Sequence, residues 1–103
     1  MYNILLVCSG GMSTSLLVTK MEKSAKDQGI EVSIKAIGEA DLKNNSENID
    51  ILLLGPQVKY ILPRIKEKME SKGTIVDVIN TVDYGTMNGE KVLNHAISMI
   101  QNK

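Results

Sequence analysis

The sequence predicts an α/β fold with three layers: a four-stranded parallel sheet in the order 2-1-3-4, with helices on both faces. Segments with strand and helix patterns alternate along the whole chain, which is typical of parallel strands joined by right-handed crossovers. The first and third strand segments are apolar and fit the centre of the sheet. The second alternates polar and apolar residues and fits an edge, which leaves the other edge to the fourth.

The first half of the chain contains two of these strands. Residues 2–7 form the first, and a helix over residues 13–28 follows, with Gly29 just after its end. The side chains expected on the apolar side of that helix are Leu16, Leu17, Val18 and Met21. Residues 31–36 form the half-exposed second strand. The polar residues 39–47 come next, with a short helix expected over residues 40–42.

The second half begins with the buried third strand, residues 50–54, which ends at Gly55. Pro63 leaves two possibilities for the next helix. Either the helix starts at Gln57 and is kinked at Pro63, or a short turn comes first and the helix proper starts at Leu62. Gly73 closes that helix. The fourth strand over residues 74–79, a loop over residues 80–88 and a final helix over Gly89–Gln101 complete the chain.

Composition restricts the function classes. The chain has 103 residues, enough for one domain, and its 12 basic and 12 acidic residues leave no basic surface for nucleic acid. No apolar run approaches the roughly 18 residues of a membrane span. A single cysteine fits a reducing compartment, and the first strand begins too early for a signal peptide. We therefore expect a cytoplasmic protein of one domain, residues 1–103.

Cys8 is the strongest candidate for chemistry. It stands at the end of the first strand, before a loop of small polar residues and the start of a helix. Unpaired backbone N–H groups and the helix dipole favour an anion at such a place, and the same field favours a thiolate over a thiol. In this sheet order, ligands bind between the carboxyl ends of strands one and three, where Cys8 lies. The alternative is a buried cysteine that only packs.

The loop after Cys8 has the residues that a phosphoryl group requires. A thiolate that attacks phosphorus needs donors for the three equatorial oxygens. Backbone N–H groups and hydroxyls are offered by Ser9, Gly10, Gly11, Met12, Ser13, Thr14 and Ser15. Gly10 and Gly11 allow the positive φ values of a closed anion nest. Ser13 can also be an ordinary helix N-cap, which does not exclude anion binding.

These residues resemble a known family. The run from Cys8 to Leu17, CSGGMSTSLL, is similar to the phosphocysteine loop of the lactose/cellobiose-type IIB components of the bacterial phosphoenolpyruvate-dependent sugar phosphotransferase system. Residues 55–58 resemble that family's second loop, and residues 83–85 and 89–93 resemble its closing segment. The resemblance covers the whole chain and implies a flavodoxin-like or low-molecular-weight-phosphatase-like fold.

The resemblance also implies a phosphoryl relay. A phosphohistidine on a IIA component would pass its phosphoryl group to Cys8. The phosphocysteine would pass the group to a β-linked disaccharide of the cellobiose type, held by the membrane-embedded IIC component. No cofactor is implied beyond the phosphoryl group carried covalently on Cys8. No metal is expected either, because one histidine and one cysteine make a poor ligand set.

Other residues have open roles. Gln57, Lys59 and Tyr84 are expected at the site rim or at a partner contact, as is Tyr60 beside Lys59; Tyr84 could equally cover the core. His95, the only histidine, is expected on the surface. Because no apolar helix face is left over, we expect the isolated chain to be a monomer.

The alternative function is a low-molecular-weight phosphatase or an arsenate-reductase-like enzyme with Cys8 as nucleophile. Those phosphatases have an arginine six residues after the cysteine, where this chain has Thr14. A threonine cannot clamp a phosphoryl group with a bidentate cation. The only candidate for the general acid of a hydrolase is Asp83. A carrier suits this loop better, because the phosphoryl group must stay transferable.

Overall fold

The computed structural model describes residues 1–8, 12–44 and 48–102, and only the backbone of residues 12, 13 and 42–44. Its four parallel strands stand in the order β2-β1-β3-β4, as predicted. They are β1 (Tyr2–Cys8), β2 (Val32–Gly38), β3 (Ile51–Leu54) and β4 (Ile75–Val78). The α-helices are α1 (Met12–Gln28), α2 (Leu62–Glu70), α3 (Thr81–Gly85) and α4 (Gly89–Gln101). Two 3₁₀ helices, Glu39–Asn44 and Pro56–Ile61, follow β2 and β3.

Alternate residues of the central strands divide the core between the two faces of the sheet. On one face, Ile4, Leu6, Ile51 and Leu53 pack with side chains of α1 and α4. On the other face, Leu5, Val7, Leu52 and Leu54 pack with side chains of α2 and of the 3₁₀ helix before it. This division follows from the two-residue period of a strand and confirms the three-layer architecture.

The structure decides the question at Pro63. A 3₁₀ helix over Pro56–Ile61 comes first, with Val58 in a non-helical conformation (φ −116°, ψ 19°), and α2 starts at Leu62. Pro63 then lies in the first turn of α2, where its missing N–H would have had no partner within the helix. The short-turn alternative is therefore confirmed, and the kinked helix is wrong.

Two expectations were wrong. Residues 80–88, expected as a loop, contain α3, whose amides at Val82 and Asp83 donate to the Asn80 side chain at 2.9 and 3.1 Å. Such a short, capped helix leaves too few turns for a helical period to appear in the sequence. Leu16 was expected on the apolar side of α1, yet its side chain is 50% exposed. The buried apolar residues of α1 recur every four positions, at Leu17, Met21 and Ala25, and Leu16 lies outside that row.

Both glycines predicted to end helices do so. Gly29 and Gly73 have positive φ values of 70° and 83°, in the left-handed region that glycine adopts without steric cost. The final helix spans Gly89–Gln101 as predicted. None of the helices among residues 1–8, 12–44 and 48–102 combines the length and apolar character needed to cross a bilayer.

Candidate active site

Cys8 lies at the point where the sheet divides. It is the last residue of β1 and pairs with Gly38 of β2, and only 5% of it is exposed. The chain after β1 enters α1 on one face, whereas the chain after β3 leads to α2 on the other. This is the crevice at the carboxyl ends of the strands in which α/β sheets bind ligands. The Cys8 thiol donates to the carbonyl oxygen of Ile37, with 3.6 Å between sulfur and oxygen.

The loop after β3 runs beside Cys8, and Gly55 leaves room there for the Gln57 side chain. The Gly55 amide donates to the Val7 carbonyl at 2.8 Å. A Cβ at position 55 would lie 3.7 Å from the Cys8 Cβ and only 2.7 Å from the Gln57 Oε1. The absence of that carbon therefore lets the Gln57 amide fold over Gly55, beside the cysteine.

Tyr84 connects three segments that follow three different strands. Its hydroxyl accepts from the Gln57 Nε2 at 3.0 Å and lies 3.2 Å from the Thr14 Oγ1. Thr14 belongs to the first turn of α1, Gln57 to the 3₁₀ helix after β3, and Tyr84 to α3 after β4. Thr14 and Tyr84 are 3% and 8% exposed, so these hydroxyls are shielded from solvent. Tyr84 fulfils both roles considered for it, since its side chain also packs in the core shared with α1 and α4.

The structure brings together only some of the predicted residues. Ser9, Gly10 and Gly11 lie outside the described residues, as do the side chains of Met12 and Ser13, so the predicted anion nest stays a prediction. Met12 and Ser13 do begin α1, directly after that loop. Ser15 and Lys59 are exposed and take no part in the contacts of Tyr84.

A second polar cluster lies at the carboxyl edge of the sheet. The Tyr60 hydroxyl donates to the Glu39 Oε2 at 3.0 Å, and the other oxygen of that carboxylate is 3.6 Å from the Arg64 guanidinium. These contacts join the segment after β2 to the segment after β3. The Tyr60 hydroxyl thus has a partner within the chain. Glu39 gave no signal in the sequence, because the two residues are 21 positions apart and belong to different irregular segments.

We expect Tyr60 to titrate at higher pH than an ordinary tyrosine. The hydrogen bond to Glu39 and the negative charge of that carboxylate raise the pKa of Tyr60, and Arg64 opposes them. Because the pKa is raised in the folded state, the contact contributes its stability below the ordinary tyrosine pKa of about 10 and loses it as the pH rises through the raised value. Glu39→Ala should lower the pKa of Tyr60 and Arg64→Ala should raise it further, as read from the ring carbon beside the hydroxyl by ¹³C NMR. An unchanged Tyr60 pKa in Glu39→Ala would contradict the contact between Tyr60 and Glu39.

His95 is half exposed, as expected, but its partner was not foreseen. Its Nε2 lies 2.9 Å from the Asp77 Oδ2, and the two side chains line a cavity of about 300 Å³ at the β4 edge. Asp83, the candidate acid of the phosphatase alternative, lines the same cavity. Within residues 1–8, 12–44 and 48–102, no three His, Cys, Asp or Glu side chains are grouped so as to hold a metal ion.

Comparison with known proteins agrees with this geometry. The sequence model of one family, described as "PTS system, Lactose/Cellobiose specific IIB subunit", matches residues 3–95. This chain belongs to that family. It is thus a IIB component of the lactose/cellobiose type, and components of this kind are phosphotransferases that act in sugar transport.

Curated relatives of this IIB component carry names for several sugars. It is 45% identical, over 94% of both chains, to the cellobiose-specific EIIB component of Lactococcus lactis subsp. lactis. It is 44% identical, again over 94% of both chains, to the galactose-specific EIIB component of Lactococcus lactis subsp. cremoris. The oligo-beta-mannoside-specific EIIB component of Bacillus subtilis is 38% identical over the full length of both chains.

Solved structures show the same fold. The cellobiose-specific IIB component of Borrelia burgdorferi is 49% identical and superposes with a TM-score of 0.80, covering 99% of this chain and 94% of that one. A mutant of YwlE from Bacillus subtilis superposes with a TM-score of 0.58 over the full length of both chains, at 17% identity. The second likeness is one of fold alone. At this level of identity, a shared fold does not support the phosphatase alternative as a function.

Proposed function

We propose that Cys8 carries the phosphoryl group in this IIB component. The Cys8 thiolate attacks the phosphorus of a phosphohistidine on a IIA component, the S–P bond forms, and the P–N bond breaks with its electron pair returning to the imidazole. A sugar hydroxyl oxygen held by a IIC component then attacks the same phosphorus; the S–P bond breaks with its electron pair returning to the Cys8 sulfur, and the hydroxyl proton leaves to a base of IIC or to water. Each transfer needs the nucleophile and leaving group in line and donors around the equatorial oxygens.

The position of Cys8 carries this proposal. It is the last residue of the central strand β1, at the crevice between β1 and β3. Gly55, which begins the loop after β3, lies beside it, and α1 follows it in the chain. The positive end of a helix stabilises both a thiolate and a phosphoryl group, so one location serves both states of the carrier. Low exposure of Cys8 would also fit a cysteine that only packs. Location at the strand end and family membership favour the nucleophile.

We infer that the sugar is a β-linked disaccharide of the cellobiose type. Cellobiose appears in the names of relatives that are 45% and 49% identical to this chain, and oligo-beta-mannoside in that of a third. A galactoside is the competing substrate, because a galactose-specific relative is 44% identical to this chain. The single cysteine fits a reducing compartment and supports a place on the cytoplasmic side, where IIA and the inner face of IIC would meet the chain.

Intact mass measurement tests the carrier function. The chain is incubated with phosphoenolpyruvate, the general phosphotransferase proteins and a IIA partner, and its intact mass is measured without acid treatment. One added phosphoryl group is expected. Membranes containing the IIC partner are then added with cellobiose, a β-mannobioside or a galactoside, and only the right sugar should remove that group rapidly. An unmodified chain beside a phosphorylated IIA would contradict the proposal, and hydrolysis of an aryl phosphate at enzymatic rates would favour the phosphatase alternative.

A further inference from the structure

The proposed function leaves Tyr84 without a role in phosphoryl transfer, although its hydroxyl is shielded from solvent and accepts from Gln57, which folds over the glycine beside Cys8. We infer that Tyr84 is a positioning residue: its hydroxyl orients the Thr14 hydroxyl as a hydrogen-bond donor to the phosphoryl group on Cys8. The inference rests on the proposed function. It adds a direction to the hydrogen bonds between Gln57, Tyr84 and Thr14.

The chemistry of the Gln57 amide fixes the direction of one of these two hydrogen bonds. The Gln57 Nε2 can only donate, so the Tyr84 oxygen is the acceptor of that bond. In the pair of Tyr84 and Thr14, whose oxygens are 3.2 Å apart, either hydroxyl can donate, and we assign the donor to Tyr84. When Thr14 accepts from Tyr84, its own proton is available for another acceptor. The chain of donors thus runs from Gln57 through Tyr84 to Thr14.

The position of Thr14 at the N-terminal end of α1 suits a donor to an anion. It is in the first turn of α1, next to the loop that joins Cys8 to this helix. Gln57, at the other end of the chain of donors, folds over Gly55, whose added Cβ would lie within 3.7 Å of the Cys8 Cβ. Gln57 thus lies over the glycine beside Cys8, and Thr14 belongs to the helix that follows Cys8 in the chain. In a low-exposure site, a donor of fixed direction is worth more than one that must reorient from water.

The pairing of the Tyr84 and Thr14 hydroxyls also gives a reason why position 14 can lack an arginine. A bidentate guanidinium would hold a phosphoryl group tightly with a full positive charge. A neutral hydroxyl oriented by Tyr84 supplies one directed hydrogen bond instead. The phosphoryl group is then stabilised on Cys8 and still released to the next acceptor, as a carrier requires.

Kinetics of phosphoryl acceptance test this role. Tyr84→Phe keeps the ring and removes the hydroxyl, and Thr14→Val removes the donor while keeping the shape. With IIA phosphorylated in excess, both variants should lower kcat for acceptance about tenfold or more and leave KM for phosphorylated IIA unchanged, because a hydrogen bond to an ionised group is lost only at the reacting centre. Thr14→Ser should retain the wild-type rate within about twofold, since it keeps the hydroxyl.

Controls separate positioning from general structure. Tyr2→Phe removes a tyrosine hydroxyl from the first residue of β1, where it accepts from Gln101, and should leave the rate unchanged. The Tyr84→Phe, Thr14→Val double variant should be no slower than Thr14→Val, because Tyr84 acts through Thr14. The ³¹P resonance of the phosphocysteine should shift in Tyr84→Phe and not in Tyr2→Phe. If Tyr84→Phe does not fold, the comparison of Thr14→Val with Thr14→Ser carries the test.

Each outcome has one meaning. Wild-type rates in Tyr84→Phe, or equal losses in Thr14→Ser and Thr14→Val, would overturn the positioning role while Cys8 remains the acceptor. Multiplicative losses in the double variant would overturn the route through Thr14. Failure of the wild-type chain to accept a phosphoryl group from phosphorylated IIA would overturn the proposed function, and this inference with it.

Discussion

Cys8→Ser should abolish phosphoryl acceptance and leave the fold intact. A serine hydroxyl is ionised far less than a thiol at neutral pH, so the nucleophile is lost and the rate should fall on the order of a thousandfold or more. The change is small in volume, and a serine hydroxyl can donate to the Ile37 carbonyl that the thiol contacts now. We therefore expect a stability loss of no more than about 1 kcal/mol.

Intact mass after incubation with phosphorylated IIA measures this loss directly. Thermal unfolding of Cys8→Ser beside the wild-type chain shows that the variant is folded. Ser24→Ala, at a half-buried position in the second half of α1, is a control for an unrelated hydroxyl change and should still gain one phosphoryl group. A Cys8→Ser chain that gains the group at the wild-type rate would show that another residue is the acceptor. Alkylation of the wild-type chain gives a second view, because a cysteine that only packs would react slowly at every pH.

Gly89→Ala should be the most destabilising small change outside the site. Gly89 is the buried first residue of α4, and a Cβ there would lie 2.6 Å from the Lys20 carbonyl carbon and 2.7 Å from the Met21 amide nitrogen. These are backbone atoms of α1, which cannot rotate away as a side-chain tip can. The two helices must separate, and overpacking of this kind costs about 1–3 kcal/mol. For a domain of this size the midpoint of thermal unfolding should fall by roughly 5–15 °C.

Gly85→Ala provides the matched control for this prediction. It makes the same change in the last residue of α3, where a Cβ would meet no atom within 4 Å. Its stability should stay the same or rise by a few tenths of a kcal/mol, because alanine restricts the unfolded chain more than glycine does. Urea unfolding of both variants measures the difference. Equal stabilities would mean that α1 and α4 can move apart at little cost.

The sequence by itself determined the strands, most of the helices and the order of the sheet. Burial on one or both faces leaves a period of two or a continuous apolar run in a strand, and a period near 3.6 in a helix. Those patterns placed β1 and β3 at the centre and β2 at an edge. Local rules sufficed for the helix ends as well: Gly29 and Gly73 have the positive φ expected of them, and Pro63 fits the first turn of a helix. Cys8 could be singled out because its position at a strand end is also a local feature.

Only the tertiary structure decided how the side chains around Cys8 are joined. Thr14 and Tyr84 are 70 positions apart and Gln57 and Tyr84 are 27 apart, so no local pattern links them. Both Gln57 and Tyr84 were named as rim residues, but their shared hydrogen bond depends on how α3 lies beside the 3₁₀ helix after β3. The tight contact of Gly89 with α1 and the exposure of Leu16 have the same origin. Sequence periodicity reports which face of an element is buried, whereas contacts between elements depend on the distance and angle at which those faces pack.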